Sequence, residues 1–218
     1  WMVSEGVQVI NFSVGTHWDG PGDGTSPHTE SPLNTVDSAV TGGVMWVNSA
    51  GNSALGNWYG DYSDANVNGW IEFESNNELN AVTLTVGVPI IVQVRWEDSW
   101  TSAARDFDLL LYDSDLKLVT WSVNEQSGGP GQIPLEQLSL TAGVSGTYFL
   151  AIHHFSGSVP QWIQMNVFDG PELDVRVADH SIGNPGNSSN PGMLTVGAAN
   201  WATPTTIESF SSRGPTMD

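Results

Sequence analysis

The 218-residue sequence has no cysteine and only five lysine and arginine residues, set against 24 aspartate and glutamate residues, for a formal net charge of −19. Each scarcity excludes something. Without cysteine there can be no disulfide, thiolate metal site or cysteine nucleophile, although this does not separate a cytoplasmic protein from a secreted bacterial one. Basic residues are missing altogether before Arg95. So acidic a surface repels phosphate backbones, which argues against nucleic acid as a partner, and it attracts cations. It also suits a protein that must stay soluble outside a cell, and simple solubility accounts for it as well as any specific acidic role. No apolar run reaches the roughly 18 residues of a membrane span, so no membrane partner is expected. The chain opens at Trp1 without Met or a signal peptide, so targeting information is expected to lie outside it.

What is present is enough to fold. Hydrophobic residues make up 39% of the chain and ten are Trp, ample apolar surface for one large domain or two modest ones. From Gly6 to Asn52 the pattern reads strand, helix, strand. Val7 to Val14 is a β-rich run ending at Gly15, followed by a Gly/Pro/Asp-rich loop. Ser31-Pro32 has the composition of a helix start, with Leu33, Val36 and Val40 on one face and Gly42-Gly43 as the stop. Val44 to Val47 is the second strand, and a crossover of this kind implies parallel pairing. From Asp61 to about Val177 the pattern becomes all-β. Eight short runs, including Trp70–Phe73, Ile90–Trp96, Phe107–Tyr112 and Ile163–Phe168, are separated by Gly, Pro, Asn and Asp clusters, as in a sandwich or jelly roll. Met193 to Ala198 returns to the first style.

Four segments, in order, resemble the subtilisin-like serine proteases. They are Gly6 to Gly15, Val47-Asn48-Ser49-Ala50-Gly51-Asn52-Ser53, Ser181-Ile182-Gly183-Asn184-Pro185-Gly186 followed by Met193 to Ala198, and Phe210-Ser211-Ser212-Arg213-Gly214-Pro215-Thr216. The resemblance implies that Asn52 donates its side-chain amide to the oxyanion of a tetrahedral intermediate, where negative charge develops. It implies that Ser13, Val14 and Gly15 offer a backbone edge to an extended substrate. Ala50, Gly51 and Gly183 would help wall the specificity pocket. The family's catalytic Asp and His lie upstream of the first segment and its nucleophile beyond the last. This chain is therefore expected to be inactive alone, and His17, His28, His153, His154 and His180 are read as loop or surface histidines.

The all-β stretch resembles the prepeptidase C-terminal domain, a sandwich accompanying secreted bacterial proteases, through Asp106 to Tyr112 and Gly146 to Ile152. In a strand Asp106 and Asp108 point to one face. Two carboxylates brought together need a cation, an arginine or full solvation. A structural calcium ion would meet that need, with Asp113 or Asp115 as a further ligand, and no cofactor is expected for catalysis; the competing account has these residues capping turns or pairing with Arg95 or Arg105. Trp96, Trp100, Trp121 and Trp162 could form a stacking platform, or serve as ordinary sandwich-core and turn residues.

The sequence thus predicts an α/β fold with a partial parallel sheet at residues 1–60 and 179–218, and an inserted sandwich at 61–178. The function expected is a fragment of a secreted serine endopeptidase acting on protein or peptide substrates. A binding or adhesion module on an α/β stem, or an inactive protease scaffold, is the alternative.

Overall fold

Helix α1 (Pro32–Thr41) forms where its cap residues lie: the Ser31 hydroxyl accepts a hydrogen bond from the Leu33 N–H at 3.2 Å, and Pro32 sits in the first turn. Leu33, Val36 and Ala39 make its buried face. Gly43, at φ 87°, then takes the left-handed conformation that turns the chain into the next strand. The computed structural model describes residues 1–168 and 170–217. It divides into two compact units, one made of Trp1–Ala54 and Ala178–Asp218, the other of Leu55–Val177. The sequence reading drew the sandwich boundary at Asp61; the second unit begins at Leu55 because Asn57–Asp61 is itself a sandwich strand.

The first unit holds three short strands, β1 (Val9–Phe12), β2 (Met45–Ser49) and β11 (Met193–Val196), in the order β1-β2-β11 and all parallel. Its core is small. Val36, Ala39, Val44 and Trp46 are buried, with Ile10, Phe12, Val40 and Met193 packed against them, and the Phe12 and Trp46 rings lie 5.4 Å apart.

The α/β fold class predicted from the sequence is incorrect. The molecule is mostly β, 35% strand against 5% helix, with one helix among the described residues and antiparallel pairing in two of its three sheets. The strand–helix–strand pattern is local. Parallel pairing stops at three strands, and most of the remaining chain in this unit is Gly-, Pro- and Asn-rich loop that cannot supply further helices.

The second unit contains β3 (Asn57–Asp61), β4 (Asn80–Leu84), β5 (Pro89–Trp96), β6 (Asp106–Tyr112), β7 (Leu118–Ser122), β8 (Leu135–Thr141), β9 (Gly146–Ser156) and β10 (Trp162–Phe168). They form two antiparallel four-stranded sheets, ordered β3-β10-β5-β8 and β4-β9-β6-β7. Period-2 alternation decides which side chains meet between them. Trp58, Val92, Val94, Trp96, Ile163 and Met165 come from one sheet; Phe107, Leu109, Leu111, Leu150 and Ile152 from the other. Trp70–Phe73, read as a strand, makes only bridge-type contacts, Trp70 opposite His153 and the Ile71 N–H to the Ile152 carbonyl at 3.0 Å.

One inward position of β8 is charged. Glu136, fully buried, accepts hydrogen bonds from the Ser122 hydroxyl, the Asn124 N–H (2.8 Å), Asn124 Nδ2 (2.8 Å) and Gln126 Nε2 (2.9 Å). Those donors favour the carboxylate, but burial outweighs them and raises its pKa.

Two predictions test this packing. Leu109→Ala, which empties part of a wholly buried site, should cost about 2–5 kcal/mol in denaturant unfolding of the second unit; a loss under 0.5 kcal/mol would mean that β6 is not a core strand. Because Glu136 binds its proton more tightly when folded than when unfolded, its contribution is full at acid pH and falls as pH rises through the raised pKa. Unfolding measured from pH 4 to 8 should therefore show a shallower loss of stability with rising pH in Glu136→Gln than in the wild type. Parallel curves would rule out this titration.

Candidate functional site

The carboxyl ends of β1, β2 and β11 emerge from the same edge of the three-stranded sheet, because all three strands are parallel. Ligand sites of parallel sheets form at this edge. Ser13, Val14 and Gly15 leave β1 there and are exposed. The chain is then tied down at Thr16, whose N–H donates to the Asn184 carbonyl at 2.8 Å. That bond brings Gly183 beside the β1 exit, where a Cβ built on it would lie 3.8 Å from the Thr16 carbonyl oxygen. β1 is an edge strand of its sheet, so one side of its backbone is free of a strand partner among the described residues.

Ala50, Gly51 and Asn52 leave β2 at the same edge. Ala50 is buried and its N–H reaches the Val196 carbonyl at 2.8 Å. Gly51 has φ +100°, and a Cβ there would stand 3.1 Å from the Ser212 hydroxyl, so both backbone conformation and space call for glycine. Ser212 fastens this turn twice: its N–H donates to the Gly51 carbonyl at 2.9 Å, and its hydroxyl accepts the Ser53 N–H at 2.9 Å. Ser211 does the same for the β11 exit, its hydroxyl accepting the Ala198 N–H at 3.0 Å. Arg213 completes the circuit, with its N–H on the Ser181 hydroxyl at 2.9 Å and its carbonyl on the Ser181 N–H at 3.0 Å. Within this circuit Asn52 is exposed, and its side-chain amide makes no hydrogen bond among the described residues. It is a donor held on a fastened turn and open to solvent. The motif containing Ser211 and Ser212 is visible in the sequence, but nothing local marks the Ser211 hydroxyl as the fastener of Ala198, 13 positions away, or that of Ser212 as the fastener of Ser53, 159 positions away.

The sandwich residues are arranged differently. Asp106 and Asp108 lie on one face of β6, whereas Asp113 sits in the turn after it, its carboxylate accepting the Asp115 N–H at 3.0 Å and the Lys117 N–H at 2.9 Å. Asp108 lies 3.6 Å from His153 Nδ1. Asp106 is buried, with Oδ1 unpartnered among the described residues, and its pKa is raised by burial and then by the charge of Asp108. Among the described residues no three His, Asp or Glu side chains form a metal-sized group. These carboxylates are a turn cap, a histidine partner and a group held toward its neutral form.

The tryptophans do not form a common platform. Trp96 is fully buried and Trp100 nearly so, while Trp121 and Trp162 belong to different sheets. Nor are His153 and His154 simple surface groups. Both are half-buried, and His154 stacks on Phe107 at 4.6 Å and bonds the Tyr62 hydroxyl at 3.2 Å, with burial lowering its pKa.

No family model matches the sequence, and no curated protein matches it. Among solved structures the chain is similar to the Clostridium perfringens CspB protease, with a TM-score of 0.61 at 14% identity over 95% of this chain and 45% of that one. The pre-peptidase C-terminal domain of a Bacillus anthracis collagenase matches with a TM-score of 0.33 at 10% identity, over 56% of this chain and 93% of that domain. The chain thus shares its fold with part of a protease, and spans less than half the length of that protein.

Proposed function

We propose that this chain is part of a secreted serine endopeptidase of the subtilisin type, to which it contributes the oxyanion donor and the substrate-binding backbone. The observation that carries the reading is Asn52: an exposed amide, with no protein partner among the described residues, on a turn fastened by Ser212 at the carboxyl edge of parallel strands. The fold shared with the CspB protease supports it. The four ordered sequence motifs bear on the same residues.

In this reading a substrate peptide extends along the free edge of the chain at Ser13–Gly15 and adds a strand. Its scissile carbonyl lies near Asn52, with Ala50, Gly51 and Gly183 forming the wall around the preceding side chain. As a nucleophile adds to the carbonyl carbon, the carbonyl π electrons move to oxygen, and the Asn52 amide donates a hydrogen bond to the resulting oxyanion. The rigidity of the turn matters because a donor already in place need not reorganise as the charge forms. Nucleophile, general base and orienting acid belong to the longer polypeptide in which this chain functions.

Two outcomes are expected. A fluorophosphonate serine probe should leave the 218-residue chain unlabelled; stoichiometric labelling of one serine would overturn the division of roles. In the longer enzyme Asn52→Leu should lower kcat roughly 10²–10³-fold with little change in KM, because the amide serves the transition state more than the ground state. An unchanged kcat would reduce Asn52 to a turn residue.

A further inference from the structure

The sandwich unit carries a cavity of about 180 Å³ lined by Trp70, Glu78, Leu79, Tyr112, Leu116 and Ala151. That is below the roughly 300 Å³ at which pockets for whole small molecules begin, and is the scale of one side chain. Its walls are two aromatic rings, three aliphatic side chains and a single carboxylate.

The carboxylate is held from one side. Glu78 Oε1 accepts from Asn66 Nδ2 and Asn68 Nδ2, both at 2.8 Å, while Oε2 takes no hydrogen bond among the described residues. The loop that supplies these amides is itself braced. Asp64 accepts the Asn68 N–H at 3.0 Å and the Gly69 N–H at 2.9 Å, and Asn68 Oδ1 accepts the Trp70 N–H at 2.9 Å. One loop therefore sets both Glu78 and Trp70, whose ring rests 4.7 Å from that of His153. None of the chain's own cations lines the cavity; Arg105 pairs with Glu97, and Arg176 with Glu172.

We infer that this cavity receives the cationic side chain of a lysine or arginine in an extended polypeptide. A neutral apolar occupant would strip water from Glu78 without replacing its hydrogen bonds. A sugar ring would find too few polar partners in a wall of one carboxylate and one phenol. A cation on an aliphatic stem satisfies every part of the lining: the stem lies along Leu79, Leu116 and Ala151, and the charged head meets Oε2 and the faces of Trp70 and Tyr112. The net charge of −19 adds a field that draws such a segment in. The site does not depend on the peptidase assignment, and in a peptidase it would serve to dock basic substrate segments.

The test uses the full 218-residue chain, ¹⁵N-labelled, with the Trp70 indole N–H signal assigned by its loss in Trp70→Phe. The probes are Ac-Ala-Ala-Lys-Ala-Ala-NH₂, its arginine and norleucine counterparts, and maltotriose. The lysine and arginine peptides should shift the Trp70 signal saturably, and the norleucine peptide should bind about tenfold more weakly. Glu78→Gln, which keeps an oxygen for Asn66 and Asn68, should weaken the lysine peptide about tenfold, while Glu5→Gln, an equal charge change in the other unit, should not. Equal binding of lysine and norleucine peptides would overturn the inference, as would equal effects of Glu78→Gln and Glu5→Gln. So would a Trp70 response to maltotriose alone, or to no probe. Should Glu78→Gln fail to fold, the lysine–norleucine comparison on the wild-type chain decides the matter. Peptidase activity enters none of these readouts, so failure here leaves the Asn52 assignment untouched, and the reverse holds equally.

Discussion

The organisation of this molecule depends on two buried asparagines that tie the exit of the sandwich to its body. Asn57 and Asn80, both fully buried, grip the segment that leaves the second unit. The Val177 N–H donates to the Asn57 carbonyl at 2.8 Å, and Asn57 Nδ2 returns a bond to the Val177 carbonyl at 2.7 Å. Asn80 repeats the exchange at Val175, with bonds of 3.0 and 2.7 Å. The Leu173 N–H reaches the Leu55 carbonyl at 3.0 Å. The irregular stretch from Leu173 to Val177 thus has its polar groups satisfied while lying against the core, which a loop otherwise cannot do without cost. Because entry and exit are held together, the segments before Leu55 and after Val177 can belong to one compact unit despite the residues between them.

Closure of the first unit follows from a second set of side chain-to-backbone bonds. A three-stranded parallel sheet with one covering helix buries little apolar area, and its core has only four buried hydrophobic residues at the centre. The turns at its carboxyl edge are held by the hydroxyls of Ser181, Ser211 and Ser212, each accepting a backbone N–H from a segment distant in sequence. Each such bond is worth only about 1 kcal/mol net, but leaving a buried N–H unpaired costs more. The polar circuit therefore fixes geometry more than it adds stability. In the role proposed for Asn52, a donor held in place for a transient charge has need of that rigidity.

Acidity runs through both units but is handled in distinct ways. Glu136 is sunk among four donors and still has a raised pKa; Asp106 is buried beside Asp108 and is pushed the same way. Glu78 is instead half-exposed, with one oxygen engaged and the other open. The buried carboxyls are structural parts with constrained protonation, and the half-exposed one is available for a ligand. Net charge alone does not distinguish these roles, since burial and local donors decide the state of each group.

Helix α1, β2, most of the sandwich strands and the Asn52 turn were legible in the sequence, because their signals are local: a Ser-Pro cap, a period of two, a Gly-Asn turn after an apolar run. The fold class was misread for the same reason. Strand–helix–strand at Gly6–Asn52 is a local pattern, and no local pattern reports how many strands a sheet will finally contain. Asn57–Asp61 was missed as a strand because its Asn, Gly and Asp dilute the β signal; it is a strand because β10 offers it a ladder. Asp64-Ala65-Asn66-Val67-Asn68-Gly69 carried a turn signature that could have been noticed, but only the fold brings Glu78, Tyr112 and Ala151 to it. The sequence by itself determined the two styles of structure, the capped helix, the alternating strands and the identity of the exposed amide. Tertiary structure alone decided which carboxylates are buried, bonded or open, and which serines fasten which turns. Those properties arise from groups meeting across long stretches of chain, and the energy of such meetings is written in no single segment.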